Sequence, residues 1–456
     1  MTRRSRLAAT LMRLFIVAAS FAVLAALPAR SDPVDDYVDA ERARQQIPGL
    51  SIAVVRDATL VKAAGYGLAN IELNVPATEH TIFQSGSVGK QFTAALVMSL
   101  VEEGKLALDD RLVDHVQGAP PAWRDITVRH LLTHTSGLSN AVYEKIDLRR
   151  DYTEDELTRE IAALPLDFAP GDRWSYSNSG YVMLGVLIGK VTGSFYGDLL
   201  RQKIFEPAGM TTARVISEAD IVPNRAAGYR LVDGEIKNQE WVSPSLNTTA
   251  DGALYVTALD MAKWETALAK GNLLEPESLR LMWTPVTLND GSPTDYGFGW
   301  QVTELRRHRV IQHGGRWQGF GSHIARYVDS GLTVVVLTNL AEANPARIAL
   351  GIAGLYEPEL APVKHTVISV APDRLERYAG EYEFAPGETL TITREGGGLA
   401  AQPGGGRKLP ILPFAETEFF AEGAEVEFEF LEEAGVVTAL VLRPPGGGSA
   451  EAKKIK

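Results

Sequence analysis

The sequence predicts a chain of mixed α/β class, α+β in type: one antiparallel sheet flanked by helices, a helical subdomain between its strands, and a small β-barrel at the C-terminal end. Three observations predict this. Strand-like runs occur near Leu50 to Ala64 and again from Trp300 to Leu337, with helical spacing dominating the stretch between them. After Pro362 the helical spacing stops and polar–apolar alternation takes over. At 456 residues the chain exceeds one ordinary compact domain, so two or three are expected.

Taken in order, Arg3, Arg4, Arg6 and Arg13 precede an apolar run from Leu14 to Leu27, followed by Pro28, Ala29 and Ser31. Basic, then apolar, then small residues is the order of a secretory signal, assigned to residues 1–30, and Thr2-Arg3-Arg4 hints at twin-arginine export. Spanning a bilayer takes roughly 18 or more apolar residues, more than this run supplies. The expected location is therefore periplasmic or secreted, with no stable membrane span after cleavage. Removing residues 1–29 discards those four arginines and no acids, so the formal net charge of −12 becomes about −16. Such an acidic surplus excludes a phosphate-tracking nucleic-acid surface. Hydrophobic residues at 45% supply a large core, and the absence of cysteine excludes disulfides, thiolate metal sites and cysteine nucleophiles.

Within residues 31–362 the spacing predicts a helix over Asp35 to Gln46 and strands over Leu50 to Val55 and Leu60 to Ala64, joined by a short turn at Arg56-Asp57-Ala58. Ser87 to Glu103 reads as a helix stopped by Gly104. Further helices are expected at Thr127 to Leu132, Glu154 to Ala163, Ser179 to Thr192 and Ala258 to Ala269. Strands follow at Trp300 to Thr303, Val310 to Gln312, Ser322 to Val328 and Leu332 to Leu337, with a closing helix at Ile348 to Leu355. Residues 363–456 read as half-buried antiparallel strands without a helix, a small β-barrel or sandwich, including Thr389 to Thr393, Glu425 to Leu431 and Val436 to Leu442, with Gly-rich turns such as Gly404-Gly405-Gly406.

Three short motifs carry chemistry. Ser87-Val88-Gly89-Lys90 places a serine at a helix N-terminus and an amine three residues on, on the same helical face. A partly desolvated lysine can accept the serine proton; the same spacing also fits an N-cap serine with an exposed lysine. Tyr176-Ser177-Asn178 precedes another helix and offers a phenol that can shuttle protons and an amide that can both donate and accept. A loop tyrosine beside a capping asparagine is the plainer reading. His313-Gly314-Gly315 ends a predicted strand, where glycines let a substrate approach the backbone or simply make a turn. His130 and His134, four apart, lack a glutamate or a third ligand nearby and are taken as structural, with no metal or organic cofactor expected. Trp317 either lines a pocket or packs.

In this order and context the motifs resemble the serine β-lactamase-related superfamily, with its class C β-lactamases, penicillin-binding proteins, D-aminopeptidases and family VIII esterases. The resemblance covers roughly residues 35 to 355 and rests on Asn70-Ile71-Glu72, Val75-Pro76-Ala77-Thr78 and Phe83 through Ala94. Arg129 through Leu138 and Tyr296-Gly297-Phe298-Gly299-Trp300 extend it. It implies a β-lactamase/transpeptidase-like fold and a lipocalin-like barrel in the tail. It also implies an acylated nucleophile Ser87, its base Lys90, and Tyr176 moving protons in both half-reactions. Asn178, His313 and Gly315 would bind substrate, and the backbone N–H groups of Ser87 and Arg316 would form the oxyanion hole. Where penicillin-binding proteins and true β-lactamases usually carry lysine, this chain has His313, expected to titrate near neutrality. That departure resembles the D-aminopeptidase and esterase-like branches. The expected function is a serine hydrolase acting on amide or ester bonds of small peptide-like substrates, with β-lactam hydrolysis a weaker side activity. The alternative is a non-hydrolytic sensor or scaffold of penicillin-binding type.

Overall fold

The structure, a computed structural model, describes residues 32–385, 388–396, 398–404, 408–421, 426–443 and 449–456. The expected secretory segment and the Gly405-Gly406 part of the expected turn lie outside the described residues. The helices that shape the molecule are α1 (Pro33–Arg44), α2 (Lys90–Glu102), α3 (Val128–Leu132), α4 (Glu154–Ala162), α5 (Asn178–Thr192), α6 (Ala258–Lys270), α7 (Pro345–Tyr356) and α8 (Pro372–Tyr378). Among the described residues no helix is long and apolar enough to cross a membrane.

Seven strands form the main sheet: β1 (Gly49–Arg56), β2 (Thr59–Asn70), β3 (Val75–Pro76), β9 (Gln301–Leu305), β10 (His308–Trp317), β11 (Phe320–Tyr327) and β12 (Leu332–Thr338). Their order is β3-β2-β1-β12-β11-β10-β9, with β1 antiparallel to β12 from Leu50 opposite Thr338 to Arg56 opposite Leu332. The β1–β2 hairpin turns at Asp57 and Ala58, both with positive φ, the twist that a two-residue hairpin loop requires. Alternation along β1 sorts the core. Leu50, Ile52 and Val54 pack beneath α1 and α7, whereas Ala53 and Val55 face the larger core of the helical region. Strands β1 and β12 are thus apolar on both faces, and their sequences read as nearly unbroken hydrophobic runs.

Between β3 and β9 lie the short strands β4 (Phe83–Gln84), β5 (Arg214–Val215), β6 (Tyr229–Val232), β7 (Glu235–Asn238) and β8 (Leu254–Val256), together with the helical region. Its centre is α5, buried almost all round, capped at one end by the Ser177 hydroxyl and at the other by left-handed Gly193.

Strands β13 (Gly380–Ala385) through β20 (Ala450–Lys454) close into an eight-stranded antiparallel barrel in strict chain order, sealed by β13 pairing with β20. Its interior is filled: Tyr382, Phe419, Phe428 and Phe430 pack there, and Tyr378 stacks on Phe430 at 4.3 Å. Tyr378 comes from α8, a helix within the tail, which corrects the expectation that this stretch holds strands alone. Pro372 starts it and the turn is short, so its helical period is too brief to register against the alternation on either side.

Candidate active site

Ser87 lies in a 3-10 turn, Gly86–Gly89, that leads into α2, so regular helix begins at Lys90 rather than at Ser87. The tightening has a local cause. Gly86 takes φ +50, and a side chain there would fall 2.4 Å from the Arg316 amide nitrogen. Gly315 is under the same constraint, since a Cβ would sit 2.1 Å from the Ser85 carbonyl oxygen. The two glycines let the turn carrying Ser87 and the strand carrying Arg316 meet backbone against backbone.

Strand β10 is built for that meeting. It pairs with β11 up to Trp317, but with β9 only over His308 to Gln312, so His313–Trp317 has one side without a strand partner, and that side faces the Ser87 turn. The His-Gly-Gly motif accordingly runs through the strand instead of ending it.

Lys90 is fully buried. Its Nζ donates to Ser87 Oγ at 3.1 Å, to Asn178 Oδ1 at 2.7 Å and to the Asp251 carbonyl at 2.5 Å. The rings of Tyr176 and Tyr181 lie 5.0 and 5.3 Å from the same nitrogen. Three acceptors and two aromatic faces compensate a buried cation that no carboxylate reaches. The Tyr176 hydroxyl is buried with no hydrogen-bond partner among the described residues. Ser87, Lys90, Tyr176 and Asn178, spread over ninety positions of sequence, therefore share one cleft.

His313 departs from expectation. It is 4% exposed, its Nδ1–H donates to the Gly314 carbonyl at 2.6 Å, and its Nε2 accepts from the Tyr296 hydroxyl at 2.7 Å. Burial, reinforced by the nearby Lys90 charge, lowers its pKa to about 3. The expectation of an imidazole titrating near neutrality is corrected: both ring nitrogens are occupied and the ring is neutral at physiological pH. The sequence reading gave His313 the ordinary histidine value because the depth of its strand leaves no mark on the motif.

His130 and His134 have separate partners. His130 caps α3 through Thr127, whereas His134 Nδ1 accepts the Ser177 N–H at 3.1 Å. Trp317 packs beside Ile216 and Tyr255 and donates to Asn247 at 2.7 Å. Several contributors escaped the sequence reading. Asp251 acts through its main-chain oxygen, which any residue type supplies. Tyr143 donates to the Asp251 carboxylate at 3.0 Å, and the fully buried rings of Tyr181 and Tyr296 pack against His134 and His313 respectively. Only Tyr296 had a signal, as the first residue of Tyr296-Gly297-Phe298-Gly299-Trp300.

Comparison with known proteins follows the same division of the chain. The family model described as Beta-lactamase matches residues 34–355, and a domain of unknown function, DUF3471, matches residues 364–452. A penicillin-binding protein of Bacillus subtilis is 28% identical over 392 residues, covering 80% of this chain and 86% of that protein. A D-aminopeptidase of Gluconobacter oxydans is 30% identical over 370 residues, covering 77% and 68% respectively. Among solved structures, the octameric penicillin-binding protein homologue from Pyrococcus abyssi superposes with a TM-score of 0.67 at 25% identity, covering 92% of this chain and 99% of that one.

Proposed function

We propose that this chain, which belongs to the Beta-lactamase family, is an exported serine hydrolase that cleaves amide or ester bonds of small peptide-like substrates through a Ser87 acyl-enzyme. The observation that carries the reading is the convergence of Ser87 Oγ, the Lys90 amine and the unpartnered Tyr176 phenol beside the free edge of β10. The presence of D-aminopeptidases among the relatives supports amide substrates with a D-residue.

The chemistry follows from the proton inventory. Lys90 meets three acceptors, which is the set of an ammonium. For the pair to act as a base it must hold one proton fewer, as amine plus phenol or as ammonium plus phenolate. In either form Tyr176 and Lys90 share the task, the amine lying 5.0 Å from the centre of the phenol ring. The Ser87 proton passes to this pair as Oγ attacks the substrate carbonyl carbon. The N–H groups of Ser87 and Arg316 stabilise the oxyanion, such donors being worth about a hundred- to a thousandfold each. The pair then returns the proton to the departing amine or alkoxide. Water repeats the sequence on the acyl-enzyme and frees Ser87. The neutral, fully engaged His313 offers no cation to a β-lactam carboxylate, so slow β-lactam turnover is expected.

The test is a substrate panel of D-alanine p-nitroanilide, p-nitrophenyl butyrate and a chromogenic cephalosporin, run on wild type beside Ser87→Ala. Turnover of the first two, a slow third, and a loss of at least about a thousandfold in Ser87→Ala are expected. No turnover together with no fluorophosphonate labelling of Ser87 removes hydrolysis as the class. A stable adduct that never turns over points to a sensor instead. Export predicts a mature N-terminus near Ala29 to Ser31, read by mass spectrometry.

A further inference from the structure

The loop that presents Tyr176 is held on both sides by one residue that the catalytic reading leaves unused. The His134 carbonyl accepts the Ser175 N–H at 3.0 Å, and His134 Nδ1 accepts the Ser177 N–H at 3.1 Å. Between those two anchored amides lies Tyr176, whose ring sits 4.3 Å from the imidazole at an interplanar angle of 37°. His134 thus grips the residue before, the residue after and the face of the phenol ring itself.

His134 holds this position against two opposing terms. Its backbone is left-handed, with φ +59, a region that side chains other than glycine, asparagine and aspartate rarely enter. Its Nε2 is buried with no hydrogen-bond partner among the described residues, edge-on to Trp174 and among the rings of Tyr181 and Tyr296. A histidine needed only to fill space would have neither feature. An acceptor at Nδ1 also requires the proton on Nε2. Burial and the Lys90 charge keep the ring from taking a second proton, so the Ser177 contact persists as the site titrates.

We propose that His134 is the positioning residue for Tyr176: by clamping Ser175 and Ser177 and stacking on the phenol, it fixes the phenol oxygen within reach of the Ser87–Lys90 pair. It touches no substrate and acts only through Tyr176. The inference rests on the proton-moving role proposed for that tyrosine.

Two substitutions that both accept a left-handed backbone isolate the contact. His134→Asn keeps an acceptor oxygen near the Nδ1 position, and His134→Gly keeps none. With D-alanine p-nitroanilide, His134→Gly is expected to lose about 30- to 100-fold in kcat with KM within about threefold. His134→Asn is expected to recover to within about fivefold of wild type. The rate of fluorophosphonate labelling of Ser87 should fall and recover in parallel. A folded His134→Gly within threefold of wild type, an asparagine variant as slow as the glycine one, or an effect confined to KM overturns the proposal. If only His134→Asn folds, its kcat decides, supporting the clamp within fivefold of wild type and overturning it beyond that. Wild type that labels at Ser87 but hydrolyses no panel substrate removes the substrate reading alone, because the labelling rates still report on the clamp. Wild type that does not label removes both.

Discussion

The main sheet and the C-terminal barrel solve the strand-edge problem in opposite ways. In the barrel every strand finds two neighbours, the β13–β20 pair seals the ring, and aromatic side chains fill the interior. In the sheet, β10 outruns β9, whose pairing stops at Gln312, and the Ser87 turn packs against the remainder of β10. The contrast locates chemistry where main-chain pairing is left incomplete. A completed ladder is stable and has nothing further to offer a substrate.

The sharpest way to break this contrast is Gly315→Ala. Its Cβ would land 2.1 Å from Ser85 O and 2.3 Å from Ser322 Oγ, so β10 and the Ser87 turn must part. A loss of about a hundredfold in kcat/KM is expected, from a shift of order 1 Å in the reacting groups. Turnover within threefold of wild type would show that the close approach is unimportant.

Acid should separate the two regions next. His313 and His323 have pKa values lowered by burial to about 3 and about 4, and His134 is displaced the same way. All three belong to the part of the chain that builds the cleft and its sheet. Because the folded values lie below the ordinary value near 6.5, the unfolded chain binds more protons in this range. Their stabilisation is complete above about pH 6.5 and is lost as pH falls toward the folded values. At pH 5, His313 and His323 should each have given up about 2 kcal/mol. Urea unfolding at pH 7 and pH 5 measures this, and an unchanged midpoint would contradict the buried, neutral assignments.

Two smaller effects complete the contrast from the barrel's side. Gly435, in the turn between the barrel strands Val426–Glu433 and Val436–Arg443, has φ +81 with open space where a Cβ would go. Gly435→Ala should cost about 1 kcal/mol in stability and leave kcat unchanged. Deleting residues 363–456 should change turnover of small substrates by less than about threefold, since the barrel core is a cluster of its own. A broadened size range after deletion would instead make the barrel a gate over the cleft.

Much of this architecture could be read from periodicity. The helices at α2, α4, α5 and α6 and strands β1, β2, β11 and β12 fall within a few residues of expectation, because long amphipathic or wholly apolar runs record their own environment. Strand β13, the strands Gly398–Pro403, Leu409–Pro413 and Glu418–Ala421, and β20 were missed, being short and set among Gly, Pro and Glu. In the site, Ser87, Lys90, Tyr176 and Asn178 were legible because the chemistry fixes their types. Asp251 and Tyr143 were not. The first works through its main chain, and the second through a contact with a residue distant in the chain, which leaves no local pattern. His134 was read as structural, without the contacts it makes to Ser175 and Ser177. His313 was found for its motif and misjudged in its charge, since depth of burial cannot be read from three residues.

The pairing of β1 with β12 has a consequence for the order of events in synthesis. Leu50 is made early and its partner Thr338 near the end of the hydrolase region, yet β1 is bare along one side until β12 arrives. A nascent chain stopped between Lys90 and Thr338 has Ser87 and Lys90 already in place along the polypeptide but no completed sheet to hold Arg316 against them. On the proposed mechanism such a partial chain is expected to be inert until β12 joins the sheet.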